Sequence, residues 1–282
     1  MISGRPKWWQ WPTILSLDAP AVVVAWQALV FDIAGRRDRA APLFVLGASV
    51  WLCYVADRWF EGWRVHPQSI RTRRHSFYQR RRWEIAGACA IVFLADVAVA
   101  LGNLSSREFF AGALLVLPVA AYLLSHQLIH RNSRWRLPKE ICTAVLLAGG
   151  VAAFPTAQAD ACLVVVGEPV AVFALLAFAN CALISVWEHA VDQSHGQISL
   201  ARQFPFGSAF GRWAAALAIA VGLGGGMDGG GAFAALNAAG AASGLLLLWI
   251  DRAESVLGRE AARVLADAAL LTPLVAFAWL QI

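Results

Sequence analysis

The sequence predicts an all-α fold: a polytopic membrane helical bundle of about nine transmembrane helices. Its residues are 59% apolar and 15% charged, and its mean hydropathy is +0.60, whereas soluble proteins carry about 25% charged residues. The apolar residues fall in runs of about 20, which is enough for a helix to cross roughly 30 Å of hydrocarbon. These runs lack the alternation of barrel strands, and only helices and closed barrels satisfy their backbone in lipid.

The predicted spans follow an N-terminal segment that is typical of an interfacial anchor, because it combines Arg5 and Lys7 with Trp8, Trp9 and Trp11. The nine spans occupy about residues 14–34, 41–60, 84–102, 108–127, 140–158, 162–187, 213–226, 230–250 and 261–281. The seventh is the least regular, because a glycine-rich turn follows it. We expect residues 1–282 to form one integral-membrane domain.

The basic residues predict the orientation of the bundle. The loops after the second, fourth, sixth and eighth spans hold nearly all the lysine and arginine, and Arg36, Arg37 and Arg39 are the exception. Under the positive-inside rule, the N-terminus and these loops face the cytoplasm, as in a bacterial-type inner (plasma) membrane. All six histidines lie on that side: His66, His75, His126, His130, His189 and His195. The five cysteines are scattered and are interpreted as apolar fillers.

Two pairs of carboxylates stand out among the 18 acidic residues, because only they are spaced four residues apart: Asp57 with Glu61, and Glu188 with Asp192. On a helix this spacing places both side chains on one face. The pairs end the second and sixth spans, so we expect them on the same side of the membrane. They could simply cap the bundle and pair with nearby arginines, an interaction worth about 0–1 kcal/mol when exposed.

A metal site is the alternative to simple ion pairing. Four carboxylates near one membrane face repel each other unless a cation lies between them, and Mg²⁺ prefers oxygen ligands together with substrate phosphates. Basic residues that follow the first pair and the fourth span, among them Arg71, Arg74 and Lys139, would suit a diphosphate. Positive-inside topology would produce much the same loops, so the arginines alone do not decide between the two.

The motifs resemble those of the UbiA-type prenyltransferase superfamily. That family carries Asn-Asp-x-x-Asp-x-x-x-Asp after its second span and Asp-x-x-x-Asp, followed by Gly and Ser, after its sixth. This chain has Cys53-Tyr54-Val55-Ala56-Asp57-Arg58-Trp59-Phe60-Glu61-Gly62, which lacks the leading Asn-Asp. Its downstream motif is Glu188-x-x-x-Asp192-x-x-x-Gly196-x-x-Ser199, with Glu in place of the first Asp. The chain therefore resembles a divergent branch of the family.

The resemblance implies magnesium-dependent prenyl transfer from an isoprenyl diphosphate to a lipophilic acceptor. The residues at the family's metal-binding positions are Asp57, Glu61, Glu188 and Asp192. Those implied to neutralise the phosphates are Arg58, Arg71 or Arg74, and Lys139. Tyr54, Asn180, Gly196 and Ser199 complete the expected substrate-binding set, and Phe173, Phe178 and Trp187 would line the isoprenoid chamber.

Two other functions stay open. Loss of the leading Asn-Asp is compatible with a non-catalytic protein that binds lipid phosphates, or with a transporter in which Asp96 marks a pathway. A histidine-bound iron enzyme would use the His126-x-x-x-His130 pair, although the chain lacks the further histidine boxes of membrane di-iron enzymes. Nothing indicates nucleic-acid binding, because the basic loops are short and adjacent to the membrane.

Overall fold

The computed structural model of the protein describes residues 6–64, 72–125, 137–158, 163–194, 198–204, 206–225 and 231–280. A 3₁₀ turn at Trp8–Gln10 precedes the α-helices of this part of the chain. The helices are α1 (Trp11–Ile14), α2 (Asp18–Ile33), α3 (Ala40–Arg64), α4 (Arg73–Arg80), α5 (Arg82–Asn103), α6 (Ser106–Leu124), α7 (Lys139–Gln158), α8 (Leu163–Trp187), α9 (His189–Ser194), α10 (Leu200–Gln203), α11 (Gly207–Gly224), α12 (Gly231–Leu257), α13 (Arg259–Ala269) and α14 (Thr272–Leu280).

The all-α membrane bundle is confirmed, but the count of nine spans is not. Within the described residues, six helices are long and apolar enough to cross a membrane: α3, α5, α6, α7, α8 and α12. A bent pair, Trp8–Ile14 with Asp18–Ile33, raises the number to seven. The apolar part of α11 is shorter, and the predicted ninth span is divided into α13 and α14 at Leu270 and Leu271. Pro273 follows this division, and proline favours a new helix start.

The first span is broken between α1 and α2, whose axes meet at 79°. Ser16, in the connecting turn, has a φ of 56°, a left-handed conformation that is uncommon for residues other than glycine. Its hydroxyl forms a hydrogen bond of 2.9 Å with the hydroxyl of Tyr78 on α4. The break therefore starts α2 at Asp18, inside the bundle.

The core lies around α2 and α8. Trp26 and Phe173 are fully buried, and their ring centroids are 5.3 Å apart. The Trp26 indole N–H also donates to the carbonyl of Leu270 at 2.8 Å, which ties α2 to the end of α13. By contrast, α5 and α6 expose large apolar side chains such as Ile91, Leu101 and Phe110. An apolar surface of this kind is expected of helices that face lipid.

Close backbone contact joins α11 to α12. A Cβ placed at Gly222 would lie 2.6 Å from the carbonyl oxygen of Asn237, and one at Gly244 would lie 2.9 Å from the carbonyl oxygen of Ala215. Small residues allow helix backbones to approach in this way in membranes. Because α11 also packs along α8, the three helices form one wall of the bundle.

Candidate active site

A cavity of about 680 Å³ lies within the bundle and is lined by α1 to α9 and α13. Charged residues line the end where α3 and α8 end and α7 begins: Asp57, Arg58, Arg74, Lys139, Glu140, Glu188, Asp192 and Arg263. The rest of the lining is largely apolar and includes Leu46, Phe93, Phe154 and Phe173. We call the first part the charged end and the second the apolar chamber.

The first motif supplies one side of the charged end. Tyr54, Asp57 and Arg58 lie on the last turns of α3, and all three line the cavity. Arg74 and His75 reach it from α4. The first turn of α4 is capped by Thr72, whose hydroxyl accepts from the His75 backbone amide at 3.4 Å and also lies 2.7 Å from Nδ1 of His75. Arg74 and His75 are both buried. Guanidinium groups of α3 and α4 thus meet a carboxylate at this end.

The second motif supplies the opposite side. The helix is interrupted at Glu188, between α8 and α9, and yet the Asp192 amide still donates to the Glu188 carbonyl at 2.9 Å. This bond keeps Glu188 and Asp192 one helical turn apart, and both line the cavity. Asp57 of the first motif and both carboxylates of the second are therefore brought to one end of one cavity.

Glu188 is held by an ion pair that the motif does not contain. The Arg263 guanidinium on α13 donates to Oε1 of Glu188 at 2.5 Å, and both side chains are about 15% exposed. Burial raises the pKa of Glu188, but the positive charges of Arg263, Arg74 and Arg58 outweigh burial and lower this pKa to about 2. Glu188 is thus ionised, and the positive charge of Arg263 already balances it.

Asp192 has different surroundings. Its Oδ1 lies 3.4 Å from the Lys139 ammonium, and its other oxygen, Oδ2, is buried without a hydrogen-bond partner among the described residues. The Asp192 side chain is 7% exposed. A buried carboxylate oxygen without a partner is costly, so Asp192 retains a strong capacity to accept a cation or a proton donor.

Two further polar contacts lie deeper in the bundle. The Asn180 side-chain amide donates to Oδ1 of Asp267 at 2.8 Å, and both residues line the cavity. Asp96 on α5 accepts a hydrogen bond of 2.8 Å from the Ser49 hydroxyl on α3. This interhelical contact gives Asp96 a structural partner, as expected for a polar group inside a membrane protein.

Several predicted residues are not placed in the cavity. The side chain of Glu61 lies outside the described residues, as do Arg71, Gly196, His126 and His130. Ser199 is fully buried just before α10 and does not line the cavity. Of the three aromatics expected in the apolar chamber, Phe173 lines it, whereas Phe178 and Trp187 do not. The Trp187 indole N–H instead donates to Asp251 at 3.2 Å.

Four further residues line the cavity that the sequence patterns did not predict: Asp18, Glu140, Arg263 and Asp267. A search for carboxylates four residues apart does not find Arg263 and Asp267, which share that spacing with opposite charges. Asp267 also lies inside a predicted span, and an ionisable residue in such a place indicates a site by default. That signal was available for Asp267 as it was for Asp96.

The residues fit magnesium in part. Asp192 offers a carboxylate oxygen without a hydrogen-bond partner, and Asp57 lines the same end of the cavity. Glu188, however, already forms an ion pair with Arg263, so its Oε1 is less available to a metal. No group of three or more His, Cys, Asp or Glu side chains within the described ranges is gathered closely enough to hold a metal. This donor set suits an ion that takes one or two carboxylates and completes its shell with substrate oxygens and water.

Comparison with known proteins identifies the fold. No protein-family profile matches the chain, and no curated protein sequence matches it. A solved structure described as the apo structure of a UbiA homolog from Aeropyrum pernix K1 matches it with a TM-score of 0.61 and 17% sequence identity, over 95% of this chain and 99% of that chain. The chain therefore has the fold of this UbiA homolog, in a strongly divergent sequence.

Proposed function

We propose that the protein is an intramembrane prenyltransferase that moves an isoprenyl group from a polyprenyl diphosphate to a lipophilic acceptor. The observation that carries the proposal is the division of one cavity into a charged end and an apolar chamber. An isoprenyl diphosphate has the same division, with an anionic head and a hydrocarbon tail. The cavity volume of about 680 Å³ lies within the range of about 300–1,000 Å³ that is usual for ligand sites.

The charged end would bind the diphosphate through its cations. Arg58, Arg74 and Lys139 line it from three different helices, so their positive charges approach a bound diphosphate from several directions. Guanidinium groups bind phosphate oxygens through paired hydrogen bonds. Charge stabilisation of this kind favours departure of the diphosphate, because negative charge develops on it as the carbon–oxygen bond breaks.

Asp57 and Asp192 are the residues that would hold Mg²⁺, and the bound ion would neutralise diphosphate charge. Glu61, whose side chain lies outside the described residues, is proposed with them. Glu188 would act through its ion pair with Arg263, which fixes the turn between α8 and α9 and so positions Asp192. The apolar chamber would hold the isoprenoid tail and exclude water from the allylic cation.

The protein is an integral membrane protein, and we propose that the charged end opens to the cytoplasm of a bacterial-type plasma membrane. The basis is the bias of lysine and arginine towards the loops on that side. Membrane lipids would surround α5 and α6, whose apolar side chains are exposed.

A second candidate is non-catalytic binding of a lipid phosphate. One observation favours it: Glu188 is neutralised by Arg263, which leaves fewer carboxylates for a metal. Such a protein would bind the diphosphate through the same cations without converting it.

The deciding experiment is incubation of the purified protein and a membrane lipid extract with labelled isoprenyl diphosphates, with and without Mg²⁺. Prenyl transfer predicts a labelled lipid product that depends on Mg²⁺. Binding of the labelled diphosphate without product would favour the second candidate. The absence of both a labelled product and magnesium-dependent binding would overturn the enzymatic proposal.

A further inference from the structure

A pair of carboxyl groups lies in the cavity apart from both motifs. The side chains of Asp18, at the start of α2, and Asp267, on α13, approach within hydrogen-bonding reach of each other. Both line the cavity. Ionised carboxylates only accept hydrogen bonds, so two carboxyl groups this close are most stable when they share one proton.

The positions of the two acids at helix ends indicate which of them better accommodates a negative charge. Asp18 lies in the first turn of α2, where the macrodipole stabilises an anion, and its Oδ1 accepts a hydrogen bond of 2.9 Å from the amide of Ala19. Asp267 lies in the last turn of α13, where a negative charge is disfavoured. A negative charge on the pair is therefore better accommodated at Asp18 than at Asp267.

The third member of the group is Asn180. Its amide nitrogen donates to Asp267, and its oxygen, Oδ1, is buried without a hydrogen-bond partner in the part of the chain that the structure describes. Asn180 is 7% exposed and lines the cavity. An unpaired buried acceptor on a residue that lines a cavity calls for a ligand that donates a hydrogen bond.

The group lies between the charged end and the apolar chamber. Along α13, Asp267 is one helical turn beyond Arg263, and the cavity-lining Leu270 follows it. Along α8, Asn180 lies about two turns before Glu188 and about two turns after Phe173. A diphosphate at the charged end with its tail in the apolar chamber would place its reacting carbon near this boundary.

The contact between α2 and α13 does not depend on the two acids. The hydrogen bond from Trp26 to the Leu270 carbonyl joins the same helices within the buried core. The carboxyl pair is thus held in position by neighbouring packing, as a preorganised site requires.

We propose that Asp18, Asp267 and Asn180 form the acceptor site of the prenyl transfer proposed above, and that the acceptor carries a hydroxyl group. This inference rests on that proposed function. The hydroxyl first donates its hydrogen to Oδ1 of Asn180 as the acceptor binds. The same hydrogen then turns to the Asp18 carboxylate, which takes the proton as the hydroxyl oxygen bonds to the allylic carbon. The carbon–oxygen bond to the diphosphate breaks, and the diphosphate leaves with the electron pair. The carboxyl pair becomes neutral and later releases the proton to water.

The test compares Asp18→Asn and Asp267→Asn with Asp251→Asn. Asp251 is a matched control, because its side chain is 6% exposed and paired with Arg212 outside the cavity. Binding and transfer are measured separately with labelled farnesyl diphosphate and Mg²⁺, with a membrane lipid extract as acceptor. We expect Asp18→Asn to lower transfer about 100-fold, the lower range for loss of a general base. Asp267→Asn should lower it less, because its amide still donates a hydrogen bond to Asp18. Both variants should leave diphosphate binding within about twofold of wild type. Asp251→Asn should retain both.

Two further measurements distinguish a proton-accepting role from a structural one. Acetylating the extract blocks its hydroxyl groups and should abolish transfer by the wild-type protein. The infrared difference spectrum between wild type and Asp267→Asn at neutral pH should contain the carbonyl band of a protonated carboxyl group. Normal transfer by both variants, transfer to the acetylated extract, or absence of that band would overturn the inference while leaving the proposed function intact. Absence of transfer by the wild-type protein would instead remove both.

Discussion

Glu188 and Asp192 belong to one motif, but their carboxylates differ in how fully a positively charged partner balances them. Glu188 is bound to Arg263 at 2.5 Å, whereas Asp192 has only a 3.4 Å contact with Lys139 and one oxygen without a hydrogen-bond partner among the described residues. The two residues are one turn apart on nearly continuous backbone. Matching a motif by spacing therefore does not assign the same role to each of its acids: one is structural and the other is available to a ligand.

Asp192→Asn should have the largest effect. It keeps the size of the side chain and removes the carboxylate that we propose as a magnesium ligand. We expect prenyl transfer to fall about 100- to 1,000-fold, the range for removing one electrostatic stabiliser of a transition state. The measurement is magnesium-dependent transfer from a labelled isoprenyl diphosphate.

Glu84→Gln is the control for this change, because Glu84 is exposed at the start of α5 and, within the described part of the chain, forms its ion pair with Arg81 three residues away. It should transfer at the wild-type rate. Unchanged magnesium dependence in Asp192→Asn would show that the two carboxylates do not differ in the proposed way.

Arg263→Ala should act on stability. It leaves Glu188 as a buried carboxylate without its main counter-charge, and breaking a buried ion pair in this way costs about 3–5 kcal/mol. The measurement is the free energy of unfolding in detergent micelles. Arg212→Ala is the matched control: its ion pair with Asp251 is solvent-accessible on the arginine side, which is 57% exposed, so we expect a loss of about 0–1 kcal/mol. Equal losses would contradict a structural role for the Glu188 ion pair.

Acidification should produce a smaller, graded effect. The folded-state pKa of Glu188 is about 2, below its ordinary value of 4.5. Its stabilising contribution is therefore fully present above about pH 4.5 and is lost as the pH falls towards 2. Glu188→Gln removes this titration, so its unfolding free energy should decline less over the same interval than that of the wild-type protein. Parallel declines would show that Glu188 is not the titrating group.

The fold was readily predicted because membrane insertion leaves a strong record in sequence. Long apolar runs predicted a helical bundle, and the positions of Asp57 and Asp192 predicted a shared face of the molecule; these residues do line one cavity. The span count failed where apolarity does not decide: a span bent by 79° at Ser16 and a final span divided around Leu270. A positive φ at a serine leaves no reliable pattern in sequence.

The candidate site was only partly predictable. Spacing along one helix reveals residues that share a face, and it correctly related Glu188 to Asp192. It does not reveal partners from distant segments, so Arg263, 75 positions beyond Glu188, and Asp18, which meets Asp267, were missed. The role of Arg263 depends on how α13 packs against α8, and that packing is a property of the folded bundle.

The glycine contacts between α11 and α12 extend the influence of the sequence well beyond the cavity. A methyl group at Gly222 or Gly244 would collide with backbone atoms of the neighbouring helix, so the two helices would have to separate. The α8 helix, which carries Asn180 and ends just before Glu188, packs against α11. Among the described residues, α11 and α12 contribute nothing to the cavity lining, yet they support the helix that does. We therefore expect a substitution at these glycines to alter substrate fit without touching the substrate.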